Sequence, residues 1–402
     1  MSGTPTLIHS ARLVTDGAVV DDGWVLFDGP TIAATGNGDG WRAAEADTGA
    51  RTVVDAGGAW LTPGFVDIHN HGGGGVSFDD GVDAIHTAMA MHGEHGTTRF
   101  VLSLVTAPVD TLERGLATVA ALARSNPQVL GSHLEGPFLD HGHKGAHDPS
   151  LLVHADPASV ERLIAASDGT LRQITLAPEL DGGMDAVRRF TGAGVAVAVG
   201  HTGADYAQAL AAFDAGASIL THAFNGMDGI HHRAPGPVAA ATRTPGVTIE
   251  IINDGIHVHP EVVRLAFAGA PGRVALVSDA MAAAGFGDGD YVLGSLAVAV
   301  RDGVARLVEG DSIAGSTLTL DDALRRAVVD VGIPVGEAVR ALTETPARAV
   351  GRAGDLGRLA PGYAADAVLL DDSFGVLAVW SEGRVIRPTT STSTSDTTRM
   401  PM

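Results

Sequence analysis

The middle of this 402-residue chain alternates short apolar runs with helical segments, and this alternation restricts the possible folds more than any other feature. The apolar runs are Phe65–His69, Arg99–Val105, Val129–Leu134, Gln173–Ala177, Val195–Val199, Ile219–His222, Val247–Ile252 and Val274–Ser278. Between them lie helix signals such as Asp156 followed by Pro157, an N-cap and first helical residue, and Asp205, which opens a helix that Gly216 ends. Eight such units over roughly 280 residues predict an α/β fold, a (β/α)8 TIM barrel.

The two ends of the chain differ from this middle part. Residues 1–60 contain short β segments separated by turns, and residues 355–388 show the same pattern. We expect both ends to combine into one small β-domain beside a barrel formed by residues 61–354. Residues 389–402 are rich in Ser and Thr and lack periodicity, which predicts a disordered tail.

Composition excludes several classes of function. The net charge of −21, from 47 acidic and 26 basic residues, argues against nucleic acid and anionic membranes as partners. The absence of cysteine excludes disulfides, thiolate metal sites and cysteine nucleophiles. Any lysine-dependent chemistry would have to use Lys144, because no other lysine occurs. No secretory signal pattern and no apolar stretch of about 18 residues is found, so we expect a soluble, cytoplasmic protein.

Titratable side chains stand at the C-terminal ends of six of the eight predicted strands. They are Asp67, His69 and His71 at the end of the first run, His133 and Glu135 at the third, His201 at the fifth, His222 at the sixth, Asp254 and His257 at the seventh and Asp279 at the eighth. Because the C-terminal ends of barrel strands meet at one face, these groups should converge there. Burying so many polar groups costs free energy unless each finds a partner. A bound metal ion would be such a partner, so the pattern predicts a metal centre.

Imidazole nitrogens with a carboxylate suit divalent zinc, iron, cobalt or manganese. His69 and His71 stand two apart on a strand, so they point to the same side and could bind one ion together. Glu135, His201 and His222 come from three strands and could bind another, with open positions for water. Asp279 is then the natural general base and acid. The remaining histidines on helices or in exposed loops are expected to be structural: His86, His92, His95, His231 and His232.

Several motifs in order along the chain resemble a known family. PGFVDIHNHG and GRLAPGYAADAVLLD are similar to segments of the amidohydrolase superfamily. Within it, HLEGPFL, GHTGAD, THAFNGM, DGIHVHP and LVSDAM resemble the N-acetylglucosamine-6-phosphate deacetylases, over residues 10–387. The resemblance implies a metal-dependent barrel with a β-sandwich built from both chain ends, a homodimer, and hydrolysis of N-acetylglucosamine 6-phosphate to glucosamine 6-phosphate and acetate.

The resemblance also assigns roles to residues. It places the metal ligands of the family on Glu135, His201 and His222 and the catalytic aspartate on Asp279, and it implies that His147 holds the acetyl carbonyl. The sugar-phosphate contacts that it implies are Ala146, Asn225, Gly226, Arg233, Asp254, Gly255, Ile256, His257, Ile313, Ala314, Gly315 and Ser316.

Two departures from the family pattern bear on the number of metal ions. Some members lack the first-strand histidine pair and carry one metal, whereas this chain keeps His69 and His71, so one or two ions of zinc or iron are expected. The bridging carbamyl-lysine frequent in the superfamily is absent, because the fourth predicted strand ends in Ala177 and Pro178. Glu135 would have to bridge any metal pair instead.

Other functions fit parts of the sequence. A dihydroorotase-like enzyme or an N-acyl-amino-acid deacylase would use similar metal ligands, but Arg233 and the HKGAH segment favour a phosphosugar. A non-catalytic sugar-phosphate-binding barrel would not need Asp279. A lysine-dependent aldolase is disfavoured, because Lys144 lies in a loop after the third predicted strand.

Overall fold

In the computed structural model, which describes residues 5–48, 50, 52–310 and 312–388, the eight predicted apolar runs all form strands of one parallel sheet. The strands of the described chain are β1 (Thr6–Thr15), β2 (Ala18–Asp28), β3 (Thr31–Asn37), β4 (Thr52–Asp55), β5 (Trp60–Pro63), β6 (Phe65–Asn70), β7 (Gly72–Gly73), β8 (Val76–Ser77), β9 (Thr97–Val105), β10 (Val129–Glu135), β11 (Leu171–Leu176), β12 (Ala196–Val199), β13 (Ile219–Leu220), β14 (Thr248–Ile252), β15 (Val274–Val277), β16 (Gly289–Leu293), β17 (Leu296–Arg301), β18 (Val304–Leu307), β19 (Ala367–Leu370), β20 (Val376–Ser381) and β21 (Arg384–Arg387).

Strands β6 and β9 to β15 form the barrel, and each pairs in parallel with the next in chain order. Every residue of β6, β9, β10 and β14 is buried, as expected for parallel strands covered on both faces. The backbone N–H of Asp279, just after β15, donates to the carbonyl of His69 in β6 (2.9 Å). The first and last strands therefore meet, and the predicted TIM barrel is confirmed.

Helices cover the outside of the barrel. The α-helices of the described chain are α1 (Gly40–Thr48), α2 (Val82–Glu94), α3 (Val109–Ala123), α4 (Pro157–Ala166), α5 (Gly183–Gly192), α6 (Tyr206–Asp214), α7 (Gly236–Arg243), α8 (Pro260–Gly269), α9 (Leu320–Arg325), α10 (Val335–Leu342) and α11 (Glu344–Ala349). Of these, α1 instead packs against β1, β2 and β3. The predicted caps are present: Asp156 accepts from two backbone N–H groups of α4, and Asp205 forms a capping box with Gln208 at α6. Within the described residues, no helix combines the length and hydropathy needed to span a bilayer.

The chain ends form a second, separate sheet in the order β21-β20-β19-β5-β1-β2-β3, with β4 beside β1. β1 changes its parallel partner from β4 to β5 around Ser10, whose φ is +56°. Phe27 in β2 and Trp380 in β20 belong to strands separated by three others, yet their rings lie 6.4 Å apart. The sheet therefore curls over its own core, as the implied β-sandwich requires. The predicted tail, residues 389–402, lies outside the described residues.

A three-stranded antiparallel sheet, β16 to β18, follows the eighth barrel strand and is absent from the strand pattern predicted above. Its apolar side chains, including Leu293 and Val298, pack with Val105 and Met281 at the end of the barrel. A two-residue turn with Gly294 at φ +58° joins β16 to β17. Such a glycine-containing turn between alternating strands is the sequence signal for this hairpin.

One buried ion pair joins the barrel to the terminal sheet. The Arg99 Nε in β9 donates to Asp366 Oδ2 (2.6 Å), just before β19, and the two side chains are 3% and 6% exposed. Because removing one partner of a buried pair leaves an uncompensated charge, Arg99→Met should lower the free energy of unfolding by about 3–5 kcal/mol. Urea denaturation measures this change.

The matched control is Arg124→Met, because Arg124 pairs with Asp168 at 2.7 Å while both side chains are more than half exposed. That variant should lose less than about 1 kcal/mol. Equal losses in the two variants would contradict a structural role for the buried pair.

Candidate active site

The C-terminal ends of the barrel strands surround a cavity of about 280 Å³. The predicted site residues that line it are His71, Glu135, Ala146, His147, His201, His222, Asn225, Gly226, His257, Asp279, Ile313 and Gly315. Further lining residues are Val105, Gly145, Ile252, Leu293 and Ser312. His69 is fully buried beneath this lining, in contact with His71. Side chains from distant parts of the sequence are thus brought to one place.

Three of these residues stand on strained backbone directly after barrel strands. The φ angles are +46° at His201, +23° at His222 and +46° at Asp279. Left-handed backbone costs a residue with a side chain about 1–3 kcal/mol, and such strain concentrates at functional sites. The strain at these three positions supports a functional role for their side chains.

The atoms of Glu135, His201 and His222 form a tight triangle. Glu135 Oε1 lies 3.1 Å from His201 Nε2 and 3.0 Å from His222 Nε2, and the two nitrogens are 3.1 Å apart. Ligands bound about 2.0–2.2 Å from an ion stand about 3 Å from one another, so this triangle has the dimensions of a metal site. His147 Nε2 also lies near it, 3.4 Å from Glu135 Oε2.

The first-strand histidines form a second group with Asp279. His69 Nε2 and His71 Nε2 are 3.2 Å apart, and Asp279 Oδ1 lies 3.5 and 3.4 Å from them. Glu135 Oε2 lies 3.2 Å from His71 Nε2, while its Oε1 faces the triangle. Glu135 therefore reaches both groups, and Asp279 lies close enough to His69 and His71 to share an ion with them.

Hydrogen bonds fix the orientation of two of the rings. His69 Nδ1–H donates to Glu250 Oε2 (3.1 Å), and His201 Nδ1–H donates to the carbonyl of His143 (2.8 Å). With the proton on Nδ1, Nε2 of each ring points into the site, which is the arrangement of metal-ligating histidines. Imidazole nitrogens and carboxylate oxygens that converge in this way fit a divalent ion.

The charges of the site lead to the same conclusion. Burial disfavours the protonated form of His71, but hydrogen bonds to Asp279 and Glu135 outweigh it and raise the pKa of this histidine to about 9. Burial also disfavours the charged form of Asp279, but the charge of His69 and the hydrogen bond from His71 lower its pKa to about 2. The buried carboxylates require positive charge nearby, and a bound cation would supply it.

His147 differs from the other histidines of the cavity. Burial lowers its pKa to about 4 despite the nearby Glu135, so the ring is neutral at pH 7. Its Nδ1 is buried and has no hydrogen-bond partner among the described residues. A neutral imidazole in this position can still donate one N–H to a bound molecule.

His257 provides positive charge on the side of the sixth and seventh strands. Its Nδ1–H donates to Asp254 Oδ2 (2.7 Å), while Asp254 Oδ1 accepts from the backbone N–H groups of Ile256 and His257 at 2.8 Å. Burial alone would lower the pKa of His257, but the hydrogen bond to Asp254 and its charge raise it. Of the predicted segment over residues 254–257, His257 lines the cavity, whereas Asp254, Gly255 and Ile256 do not.

Two loops complete the cavity. A Cβ at Gly226 would lie 2.7 Å from His201 Nδ1, and its φ is +58°, so glycine is required beside this ring. The loop over residues 313–316 is tied to the end of β15, because the Ser316 N–H donates to the carbonyl of Asp279 (2.7 Å). Ala314 and Ser316 are buried behind Ile313 and Gly315, which line the cavity.

Arg233 and Lys144 do not line the cavity. Arg233 is exposed, on the loop between β13 and α7. The Lys144 Nζ lies 3.4 Å from the carbonyls of Gly145 and His147, which it can reach as a donor. The geometry offers no support for lysine-dependent aldolase chemistry.

Sequence reasoning missed Glu250, whose carboxylate accepts from His69, from Gln173 Nε2 (2.7 Å) and from the His222 N–H. A single charged residue inside the apolar strand β14 was the available signal. His133, by contrast, is structural, because the Ser103 and Thr175 hydroxyls bond both its ring nitrogens at 2.9 Å.

The histidines expected to be structural lie on helices or loops as predicted, with one difference. His92 lies on α2 but is completely buried, and its Nε2 is 3.0 Å from both the Gly72 carbonyl and Asn70 Nδ2. It packs behind His69 and His71, and its contact with the Gly72 carbonyl supports the backbone next to His71.

Comparison with known proteins agrees with this geometry. The sequence pattern of the Amidohydrolase family matches residues 60–386. An N-acetylgalactosamine-6-phosphate deacetylase from Escherichia coli O157:H7 is 40% identical over 94% of this chain and 98% of its own. An N-acetylglucosamine-6-phosphate deacetylase from Vibrio furnissii is 35% identical over 94% and 93%.

Solved structures give the same result. A mutant N-acetyl-D-glucosamine-6-phosphate deacetylase from Mycobacterium smegmatis, in complex with N-acetyl-D-glucosamine-6-phosphate, superposes with a TM-score of 0.90 and 40% identity, covering 96% of this chain and 100% of its own. The corresponding enzyme from Pasteurella multocida has a TM-score of 0.88 at 29% identity, over 95% and 99%. With the family pattern spanning most of its length and these relatives matching nearly all of it, this chain belongs to the amidohydrolase family.

Proposed function

We propose that this chain hydrolyses the acetamide of N-acetylglucosamine 6-phosphate and releases glucosamine 6-phosphate and acetate. The observation that carries the proposal is one cavity whose lining combines the Glu135, His201 and His222 triangle with Asp279, His147 and His257. Deacetylases of such phosphosugars are similar to this chain over nearly its whole length.

Glu135, His201 and His222 would hold one divalent ion, with His147 beside them, and His69, His71 and Asp279 would hold a second, with Glu135 shared between them. Zinc or iron suits this set of imidazoles and carboxylates. When bound, such an ion supplies Lewis acidity, which lowers the pKa of water and polarises a carbonyl.

Asp279 would transfer protons during the reaction. Its low pKa keeps the carboxylate ionised at neutral pH, so it can accept a proton from the attacking water. Water adds its oxygen to the acetyl carbon, the carbon–nitrogen bond breaks, and the same proton passes to the leaving amine. The strained backbone at Asp279 and its hydrogen bond to β6 hold the carboxylate in place for both steps.

His147 would stabilise the negative charge that develops on the carbonyl oxygen. Because its ring is neutral, His147 can donate one N–H to the carbonyl oxygen without placing a positive charge beside Glu135. Lys144 and Gly145 precede it in the loop after β10, and the Lys144 ammonium lies near the His147 carbonyl.

The phosphate would lie on the opposite side of the cavity. His257 provides a charge-assisted donor there, and the segment over Asn225 and Gly226 and the loop over residues 313–316 enclose the sugar. Arg233, exposed on a nearby loop, would add a guanidinium for the phosphate.

N-acetylgalactosamine 6-phosphate is a second candidate substrate. The E. coli relative named for it is 40% identical to this chain. The two sugars differ only in the configuration of one hydroxyl group, so the same metal ligands and Asp279 would serve both.

We further propose that the protein is a cytoplasmic homodimer. A phosphorylated sugar crosses a bilayer only at high cost, so such a substrate stays in the compartment in which it is made. The homodimer is the state that the resemblance to the N-acetylglucosamine-6-phosphate deacetylases implies.

Acetate release from the two N-acetylhexosamine 6-phosphates, unphosphorylated N-acetylglucosamine and N-acyl amino acids tests the function. Asp279→Asn keeps the shape but removes the base, so kcat should fall by about 10²–10⁴-fold with little change in substrate binding. Asp214→Asn, exposed at the end of α6, is the matched control and should retain full activity.

Turnover of Asp279→Asn within tenfold of the wild type would show that this carboxylate is not the base. Release of acetate only from N-acyl amino acids would show that the chain is an N-acyl-amino-acid deacylase and does not act on phosphosugars.

The charge of His257 predicts a pH dependence. Because its pKa is raised, His257 is protonated below that pKa and loses its charge as the pH rises through it. The ratio of kcat/KM for N-acetylglucosamine 6-phosphate to that for N-acetylglucosamine should therefore fall on the alkaline side. His257→Gln should lower this ratio by about 10–100-fold and remove the alkaline fall.

Arg233→Gln is the comparison, because a guanidinium does not titrate in this range. It should lower the same ratio while leaving its pH dependence intact. A His257→Gln variant with the ratio and profile of the wild type would show that His257 does not bind the phosphate.

A further inference from the structure

The cavity has an apolar side to which the proposed chemistry assigns no role. Val105 ends the second barrel strand β9, and Leu293 ends β16 in the three-stranded sheet. Both line the cavity and belong to one buried cluster with Met281 and Ala282. Val105 pairs in register with Glu135 on the neighbouring strand β10. This apolar surface therefore lies directly beside the reacting centre.

Leu293 is held in position by the tip of its hairpin. It pairs with Leu296 across the turn of Gly294 and Ser295. The Ser295 Oγ donates to Asp148 Oδ2 (2.9 Å), and Asp148 directly follows His147. A Cβ at Gly294 would lie 3.2 Å from Val105 Cγ1, so the tip also packs closely on the end of β9.

The polar groups of the cavity fix which end of a substrate meets this surface. His257 and Asn225 come from the loops after β14 and β13, across the barrel from β9 and β10. A phosphate bound near His257 points the other end of an amino-sugar phosphate toward Val105 and Leu293. The acyl carbon must then lie near Glu135 and His147, with its alkyl group against the apolar side.

We propose that Leu293 and Val105 form the acyl pocket and that Leu293, carried by the hairpin, limits the length of the acyl chain that the enzyme removes. This inference rests on the proposed function, because it needs an N-acylated amino-sugar phosphate as substrate. The Ser295–Asp148 hydrogen bond and the close packing of Gly294 on Val105 hold the tip in place, so a longer acyl chain meets the Leu293 side chain.

The expected change in kcat/KM follows from how strongly apolar pockets discriminate between substrates of different chain length. One methylene gained or lost changes kcat/KM by about 10–200-fold. Leucine exceeds alanine by three carbon atoms and butyryl exceeds acetyl by two, so Leu293→Ala makes room for a butyryl group. The ratio of kcat/KM for N-butyryl- to N-acetylglucosamine 6-phosphate should rise by about tenfold or more in that variant.

The experiment measures kcat/KM for the N-formyl, N-acetyl and N-butyryl compounds with wild type, Leu293→Ala and Leu293→Phe. Leu293→Phe should narrow the pocket and raise the formyl-to-acetyl ratio. Val292→Ala is the matched control, because Val292 is 58% exposed on the same strand, and both of its ratios should equal those of the wild type.

A butyryl-to-acetyl ratio within twofold of the wild type in Leu293→Ala would overturn the proposal, as would an equal rise in Val292→Ala. If Leu293→Ala does not fold, the formyl-to-acetyl ratio of Leu293→Phe decides, and an unchanged ratio overturns the proposal. Failure of the proposed function itself is recognised separately, because the wild type would then release no acetate from the N-acetyl compound.

Discussion

The carboxylate of Glu135 is the group on which the rest of the site depends. Five imidazoles surround its two oxygens at 3.0–3.4 Å, from His69, His71, His147, His201 and His222. Burial would raise the pKa of Glu135, but the charge of His69 and the hydrogen bonds from His147 and His201 hold it well below its usual range. A buried, ionised carboxylate in a ring of nitrogen donors is stable only with positive charge at its centre, which is the electrostatic condition for a metal site.

The barrel satisfies this condition by bringing strand ends together. Neighbouring parallel strands place Glu135 beside the first-strand pair on one side and beside His201 and His222 across the mouth. Glu250, buried in β14, then orients His69 from below, and positive φ angles at the ends of β12, β13 and β15 aim their side chains into the cavity. Local strain and buried charge are both tolerated because the surrounding strands are packed on both faces.

Much of this arrangement could be predicted from the sequence. Eight apolar runs, six of them ending in titratable residues, determine the barrel and the end at which the site lies, and this pattern requires no knowledge of tertiary contacts. The roles of Glu250 and Leu293 could not be predicted, because each depends on a contact between segments far apart in the chain. The hairpin that carries Leu293 lies outside the pattern of eight runs, although its glycine turn marks it in the sequence, and the exposure of Arg233 depends on loop geometry that periodicity does not encode.

We propose that Glu135 serves two metal ions at once, and metal analysis of purified variants checks this. The wild type should bind about two equivalents of divalent metal, as should His154→Asn, which changes an exposed histidine far from the cavity lining. Replacing His69 and His71 together by Asn should remove about one equivalent, and replacing His201 and His222 should remove the other. Glu135→Gln should lose both. A folded Glu135→Gln protein that retained the full metal content of the wild type would contradict the account.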